Sequence, residues 1–436
     1  MSIAPQRPMI LYLLAAGVLL RVILMIIAGN RLQTPWRVGG DAIYYAALAS
    51  NVAGGMGYTY AHQPTAFRPP LYPLFLAAMM KTFGNSYARA VRLMQMAAGL
   101  VTVGICAGLA ARLFGSGTAI AAALLALYFP TLSVFPTELI TECFATLLSA
   151  AFFWWLFDHA QLLKLRTAFF LGLVIGLATL LRFNMALLGL PAVWMIGRAA
   201  GIRRALPNIA LLTAVSAAVV SPWIIRNELV FHGQVLLSTQ GGYNALQGVL
   251  TPQGRVQPGD LETLRRAGSW LSGDLETNDP TRLNLPSEPQ LDQRAWQLAR
   301  QAWGRKGWRL VPLAVEKLGY FWLSTDQLFS THSFPLKLRV ARAAGVLFYI
   351  ALLGLSGVGW VALLHQRAAA AKFILGYGVL VSLAHLPFIM TSRHRIPFAE
   401  PLLVVLGGAG LTRLGQSLRT QGSGLGAAEV AAPASS

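Results

Sequence analysis

A lone carboxylate stands near the start of the sequence. Asp41 is the only acid between residues 1 and 137, and it follows a glycine pair that lets the backbone approach a ligand closely. It precedes a helical pattern over residues 42–51, so it is predicted to cap that helix. Helix capping alone would be enough to explain why an acid stands at position 41. The alternative is that Asp41 acts as a general base that accepts a proton from a substrate.

Two further acids follow in the segment PTELITECFATLL. Glu138 and Glu142 are four residues apart, so on a helix they would share one face. Glu142 falls at the mouth of an apolar segment, where an ionisable group is costly and usually functional. Capping of that segment is the simpler interpretation of Glu138.

Several arginines could bind an anionic substrate. Arg68, Arg182, Arg226, Arg393 and Arg395 lie beside apolar segments, on the side where a positive-charge bias is not expected. The arginine fork makes two parallel charge-assisted hydrogen bonds to a phosphate. Pairing with acids of a long loop is the alternative. We predict that Arg226 and Arg395 are the leading phosphate ligands.

Metal and nucleotide motifs are absent from the sequence. His62, His232 and His394 are possible metal ligands, but no pair has the spacing of a known metal motif. The chain also lacks a P-loop, a dinucleotide-binding glycine pattern and a serine-hydrolase elbow. ATP hydrolysis and serine hydrolysis therefore have no support.

The composition indicates the elements that must hold these groups. The chain has 436 residues, of which 55% are hydrophobic and 12% charged, against about 25% charged in soluble proteins. It is therefore predicted to be an all-α polytopic membrane protein. The net charge of +19 fits cytoplasmic Lys and Arg and contacts with anionic lipid. The arginines form no continuous basic stripe, so nucleic acid is not a predicted partner.

Ten apolar segments are long enough, or nearly so, to span a bilayer. They lie at residues 9–28, 92–113, 118–136, 140–157, 167–181, 184–198, 206–222, 343–364, 373–390 and 396–412.

Positive charges in the short loops predict that both termini are cytoplasmic. This orientation leaves 29–91 and 223–342 as large outward regions of one transmembrane catalytic domain, 1–415, before a low-complexity cytoplasmic tail, 416–436. Within the second region, 291–323 is predicted to be an aromatic, arginine-bearing helix at the membrane surface. A bacterial inner membrane is the expected location.

An ordered set of stretches carries a resemblance to a known family. The stretches are GGDAIYYAALASNVAGGMGY, FRPPLYPLFLAAMMKTFG, PTELITECFATLL, SPWIIRNELVFHG with STQGGYNALQG, and SRHRIPFAEPLL. Together they resemble the lipid-dependent GT-C glycosyltransferases, in the branch of protein O-mannosyltransferases and aminoarabinose transferases (glycosyltransferase family 39-like). The resemblance implies a GT-C fold with about 10 transmembrane helices, in a range of 9–12, and outward juxtamembrane helices.

The resemblance also implies a reaction. A polyprenyl-phosphate-linked sugar is the donor, a glycan, lipid or protein is the acceptor, and transfer occurs on the periplasmic side with inversion. The implied catalytic residues are Asp41, as the general base, and Glu142. A divalent metal, which some relatives bind, is possible, and no cofactor is certain. The implied substrate-binding residues are Tyr44, Tyr45, Arg68, Glu138, Arg182, Arg226, Asn227, Arg393 and Arg395.

Two other functions account for part of the pattern. A transporter or flippase of a lipid-linked sugar would explain many spans and outward arginines, but such proteins usually contain inverted repeats, and no internal repeat is evident. A non-catalytic membrane scaffold leaves the outward acids and cations without a purpose.

Overall fold

The computed structural model describes residues 7–31, 40–158, 162–250, 287–324 and 336–430. Helices α1 to α16 occupy Arg7–Ala28, Gly40–Ala53, Leu71–Phe83, Tyr87–Phe114, Gly117–Tyr128, Pro130–Val134, Glu142–Leu156, Leu165–Leu181, Gly189–Ala200, Ile202–Phe231, Gly241–Leu250, Glu288–Lys306, Leu310–Leu323, Leu336–Gln366, Ala368–His385 and Ser392–Val430. Short 3-10 turns lie at Gly84–Ser86, Phe135–Thr137, Phe183–Leu188 and Gly307–Arg309.

Apolar helices of membrane-spanning length dominate the described residues, which confirms an all-α polytopic membrane protein. Seven such helices are found, and the bent pair α5 and α6 makes an eighth span. Two shorter apolar helices, α7 and α8, occupy two further predicted spans. The seven are Ile10–Ala28, Leu71–Phe114, Phe183–Ala200, Ile202–Phe231, Ala343–Gln366, Ala368–His385 and Ser392–Leu418. Of these, Leu71–Phe114 joins α3 and α4 through the 3-10 turn between them, and Phe183–Ala200 joins a 3-10 turn to α9.

The third predicted span, 118–136, is broken near its middle. Helix α5 and the helical segment Pro130–Thr137 meet at an angle of 64°. Phe129 between them has an extended backbone with ψ 119°, because a residue that precedes proline is forced away from helical geometry. The bend turns the chain toward the segment that carries Glu138 and Glu142.

The helices pack closely around α16, which contacts α14, α5, α7 and α4. Small residues permit the other main contact, between α8 and α10. A Cβ on Gly172 would lie 2.6 Å from the Leu212 carbonyl oxygen, and one on Gly176 would lie 2.7 Å from Val219 Cβ. Close backbone approach through a small-xxx-small pattern is typical of membrane helices.

The short helices α2, α3, α11, α12 and α13 lie in or beside the long segments 29–91 and 223–342, which are predicted to face outward. Helices α2 and α3 pack together and enclose a hairpin of strands β1 (Thr59–Tyr60) and β2 (Gln63–Pro64). Its two turn residues, Ala61 and His62, have φ of 48° and 64°, as a type I′ turn requires. In the segment 223–342, α11 packs against α12.

The predicted helix over 291–323 is two helices, α12 and α13, separated by a 3-10 turn. Trp296 and Trp303, expected to face the membrane, instead pack against the α11–α12 core, and only Trp308 is highly exposed, at 77%. The reason is that α11 supplies an apolar face for α12 to bury. Residues 251–286 of the segment 223–342 lie outside the described residues. Helix α16 continues to Val430, into the segment 416–436 that was predicted to be a low-complexity tail.

Candidate active site

Five charged side chains form one continuous network, the ionic cluster. Arg393 bridges the two acids, because its Nη1 donates to Asp41 Oδ2 and its Nε donates to Glu142 Oε1. Arg68 Nη2 donates to Asp41 Oδ1 at 2.5 Å, and Arg182 Nη1 donates to Glu142 Oε1 at 3.0 Å. The two carboxylates therefore lie within the span of one guanidinium. Three cations and two anions leave one positive charge in excess.

Helix ends place these groups. Glu142 is the first residue of α7, and Asp41 lies in the first turn of α2, which begins at Gly40 rather than after Asp41. A negative charge at a helix N-terminus is stabilised by the helix dipole. Arg393 is in the first turn of α16, where the dipole disfavours a cation, so its position depends on the two acids. Arg182 lies in extended backbone just after α8.

Exposure distinguishes the two acids. The Asp41 side chain is 21% exposed, whereas that of Glu142 is 0% exposed. The exposed fractions of the Arg68, Arg393 and Arg182 side chains lie between these two values, at 19%, 14% and 12%. A substrate entering the cluster would therefore reach Asp41 and Arg68 first, while Glu142 lies behind the arginines.

Aromatic rings surround Arg68. Its guanidinium carbon lies 5.5, 5.6 and 5.3 Å from the ring centres of Tyr44, Tyr45 and Phe67, distances typical of cation–π contacts. Tyr44 also stacks on Tyr60 at 4.1 Å. Burial alone would lower the pKa of Arg68, but the nearby Asp41 carboxylate and tyrosines outweigh it and raise that pKa. Arg68 is therefore protonated, and aromatic rings line its surroundings.

Tyr243 is a neighbour of the cluster that the sequence interpretation missed. Its ring lies 5.9 Å from that of Phe67, and its hydroxyl accepts a hydrogen bond of 2.6 Å from Gln247 Nε2. Burial raises the pKa of Tyr243 to about 12, with Arg68 opposing and Asp41 adding to the increase. The available signal was an aromatic residue after two glycines, in STQGGYNALQG, near the start of a short helix.

Arg226 and Asn227 lie outside the ionic cluster. Arg226 donates to the backbone carbonyls of Tyr58 and Thr65, at 3.0 and 2.9 Å, and its guanidinium lies 5.0 Å from the ring of Trp223. Asn227 Nδ2 donates to the carbonyls of Leu236 and Leu237 at 3.2 and 3.3 Å. Both side chains thus connect α10 to neighbouring loops through hydrogen bonds to backbone carbonyls.

Arg395 also points away from the cluster. It is 1% exposed, its Nη1 donates to the Phe321 carbonyl, its Nη2 lies 3.6 Å from Glu400 Oε1, and it stacks on Tyr349 at 4.3 Å. Residues two apart on a helix lie on opposite faces. Arg393 therefore faces the acids, and Arg395 faces the core.

Glu138 does not share a helical face with Glu142, because α7 begins only at Glu142. Glu138 has extended backbone, with φ −92° and ψ 143°, and its carbonyl accepts a hydrogen bond of 2.6 Å from Gln95 Nε2. Arg92 Nε donates to the preceding Thr137 carbonyl, also at 2.6 Å. Two polar side chains of α4 thus fix the segment that leads into α7.

The described residues contain no group of three or more His, Cys, Asp or Glu side chains arranged to hold a metal. Asp41 and Glu142 both accept from arginines, and His394 Nδ1 lies 2.9 Å from Thr391 Oγ1. His62 is at the hairpin turn, and His232 directly follows α10 as its C-cap. In this arrangement the residues do not fit a divalent cation, and metal dependence stays a prediction.

Comparisons with known proteins agree with the motifs. A family model described as dolichyl-phosphate-mannose-protein mannosyltransferase matches residues 67–225, a segment that includes Arg68, Glu142 and Arg182. A comparison with curated protein sequences found no match.

Solved structures share the fold. The archaeal oligosaccharyltransferase AglB from Archaeoglobus fulgidus, in complex with an inhibitory peptide and a dolichol-phosphate, is 15% identical with a TM-score of 0.52, covering 99% of this chain and 53% of that chain. An Archaeoglobus fulgidus oligosaccharyltransferase in the apo form is also 15% identical, with a TM-score of 0.53, covering 96% of this chain and 52% of that chain. The chain thus spans about half the length of these structures.

ArnT from Cupriavidus metallidurans bound to undecaprenyl phosphate is 18% identical, with a TM-score of 0.42 and coverage of 92% of this chain and 77% of that chain. The family match, together with the fold shared with the oligosaccharyltransferase, confirms the resemblance to the GT-C class of membrane glycosyltransferases.

Proposed function

We propose that the protein transfers a sugar from a polyprenyl-phosphate donor to an acceptor on the periplasmic side of a bacterial inner membrane. The observation that carries this proposal is the ionic cluster, in which three arginines and two acids converge beside apolar spans. The family model, whose description names a dolichyl-phosphate-mannose donor, supports the same substrate class.

The charge of the cluster suits this donor. A sugar linked to a polyprenyl phosphate is a phosphodiester with one negative charge, which would neutralise the single excess positive charge. As the bond from the anomeric carbon to the phosphate oxygen breaks, its electron pair leaves with the phosphate, which gains negative charge. Preorganised arginines stabilise such a leaving group more in the transition state than in the ground state.

Asp41 is the proposed general base. The acceptor oxygen or nitrogen attacks the anomeric carbon, and its proton passes to the Asp41 carboxylate. Arg68 and Arg393 both donate to Asp41 in the absence of donor, and each donation lowers the basicity of the carboxylate. A bound phosphate would compete for these arginines and leave Asp41 more basic. Attack in a single displacement inverts the anomeric carbon.

Glu142 has a different proposed role. It is fully buried and accepts from Arg182 and Arg393, so it orients both arginines toward the more exposed part of the cluster. Its charge also limits the cost of burying two cations in a low-dielectric region. Glu142 is thereby a positioning residue that acts through the phosphate-binding arginines.

Transfer can be tested with purified protein in nanodiscs. Wild type, Arg393→Gln and Arg89→Gln receive a radiolabelled polyprenyl-phosphate sugar and a panel of glycan, lipid and protein acceptors, and the labelled product is measured. Arg89 is an exposed arginine on α4 and serves as the control. We expect turnover with wild type and Arg89→Gln, and a loss with Arg393→Gln. Movement of the donor across liposomes without product would favour a flippase and refute the proposal.

A further inference from the structure

A buried lysine joins the outward helices to the segment that precedes Arg393. Lys317 of α13 is 3% exposed. Its Nζ donates to the carbonyls of Gly248, Leu386 and Phe388 at 3.0, 2.5 and 2.6 Å. Within the parts of the chain that the structure describes, no carboxylate forms a salt bridge with it. All three ammonium donors are therefore used on backbone oxygens.

These carbonyls belong to two helix ends. Gly248 is in the last turn of α11, while Leu386 and Phe388 lie just after α15, which ends at His385. The last carbonyls of a helix have no partner within the helix and carry partial negative charge. One buried cation thus satisfies the ends of two helices that are far apart in sequence.

Additional contacts fix the same place, here named the junction: Asn244, Gly248, Lys317 and 386–389. The Ile389 amide donates to the Asn244 carbonyl at 2.7 Å. A Cβ on Gly248 would lie 2.7 Å from the Ile389 nitrogen, so α11 touches the connection without any intervening side chain. Hydrogen bonds and close packing together leave the connection little freedom to shift.

The junction directly precedes, along the chain, the arginine that bridges the two acids of the ionic cluster. Arg393 follows Ile389 by four residues, in the first turn of α16. The dipole of α16 disfavours a cation at that position, so the direction of the chain entering α16 decides whether Arg393 reaches both acids. The opposite face of α13 is open, with Val311 and Val315 exposed at 67% and 66%.

We propose that Lys317 is a positioning residue that holds the connection between α15 and α16 so that Arg393 bridges Asp41 and Glu142. This role rests on the proposed glycosyl transfer. Loss of the ammonium would leave three carbonyls without their donor. A displacement of Arg393 by about 1 Å is enough to lower a rate about 100-fold.

The test uses Lys317→Met, with the exposed lysine variant Lys372→Met as the control. For Lys317→Met we expect kcat to fall about 100-fold while KM for the donor changes less than about threefold, because Arg68 and Arg182 remain. Gly248→Ala leaves Lys317 in place but adds a Cβ that collides with the backbone of Phe388 and Ile389. It should therefore displace the same connection and also lower kcat.

Hydrogen exchange of the peptide over residues 386–391 provides a readout without activity. We expect its amides to exchange at least about tenfold faster in Lys317→Met than in wild type or Lys372→Met. Unchanged exchange, or a kcat within twofold of wild type, would overturn the positioning role. If wild type transfers no sugar, the proposed function fails, and the exchange result still decides whether Lys317 holds the connection.

Discussion

Replacement of Asp41 by asparagine should change catalysis and donor binding in opposite directions. Asparagine keeps the size of the side chain, but its one carbonyl oxygen can accept from only one of Arg68 and Arg393, which donate to different oxygens of Asp41. It also has no charge and no useful basicity. Loss of a general base typically lowers the rate about 10²- to 10⁴-fold. The same change raises the excess positive charge of the cluster from one to two.

The effect on donor affinity follows from that extra charge. At an effective dielectric constant of about 20 and a separation of about 6 Å, one elementary charge contributes about 3 kcal/mol. Asp41 is 21% exposed and two arginines screen it, so about half of this energy, roughly 1.4 kcal/mol, is expected to remain. The Kd of the donor should therefore decrease about tenfold.

The assay measures both quantities on the same nanodisc preparation. Donor affinity is obtained by titration with a fluorescent polyprenyl-phosphate sugar in the absence of acceptor, and turnover is obtained with acceptor present. Asn51→Ala, a change on the same helix outside the cluster, is the control. Undiminished turnover in Asp41→Asn would refute the base assignment. Weaker donor binding would refute the competition between Asp41 and the phosphate for the arginines.

Two other changes test the cluster and the packing of α11 against α12. Glu142→Gln removes a buried charge from a paired network, so it should destabilise the protein by about 3–5 kcal/mol and lower the thermal midpoint in detergent, whereas the exposed Glu316→Gln should not. Burial raises the pKa of Asp292 from 3.8 to about 6, so the folded protein binds more protons than the unfolded chain and stability should rise as the pH falls through that window. Asp292→Asn can still accept from the Gly242 amide but does not titrate, so the free energy of unfolding should depend less on pH in this variant. The same pH dependence of stability in wild type and Asp292→Asn would contradict the assignment to Asp292.

Apolar periodicity and charge were enough to foresee the spans and the main charged residues of the site. The predicted span 9–28 corresponds to α1, and 343–364 falls within α14. Asp41 was recognisable because a lone acid in an apolar chain is costly without a function. These features are local, so a sequence contains them directly.

The partners of the arginines could not be predicted in the same way. Arg226 and Arg395 have the same chemistry as Arg393, but both donate to backbone carbonyls instead, and Arg395 also lies near a buried acid, Glu400. Which side Arg393 and Arg395 face depends on where α16 begins, at Ser392. Likewise Glu138 and Glu142 separate because α7 begins at Glu142. An error of a few residues in a helix boundary reverses such assignments.

The net charge of the cluster depends on one helix. Asp41 with Arg68 and Glu142 with Arg182 form two ion pairs, each of zero net charge. Arg393 of α16 contacts both acids and contributes the single excess positive charge. The α16 N-terminus therefore determines whether this site attracts an anion or is electrically neutral.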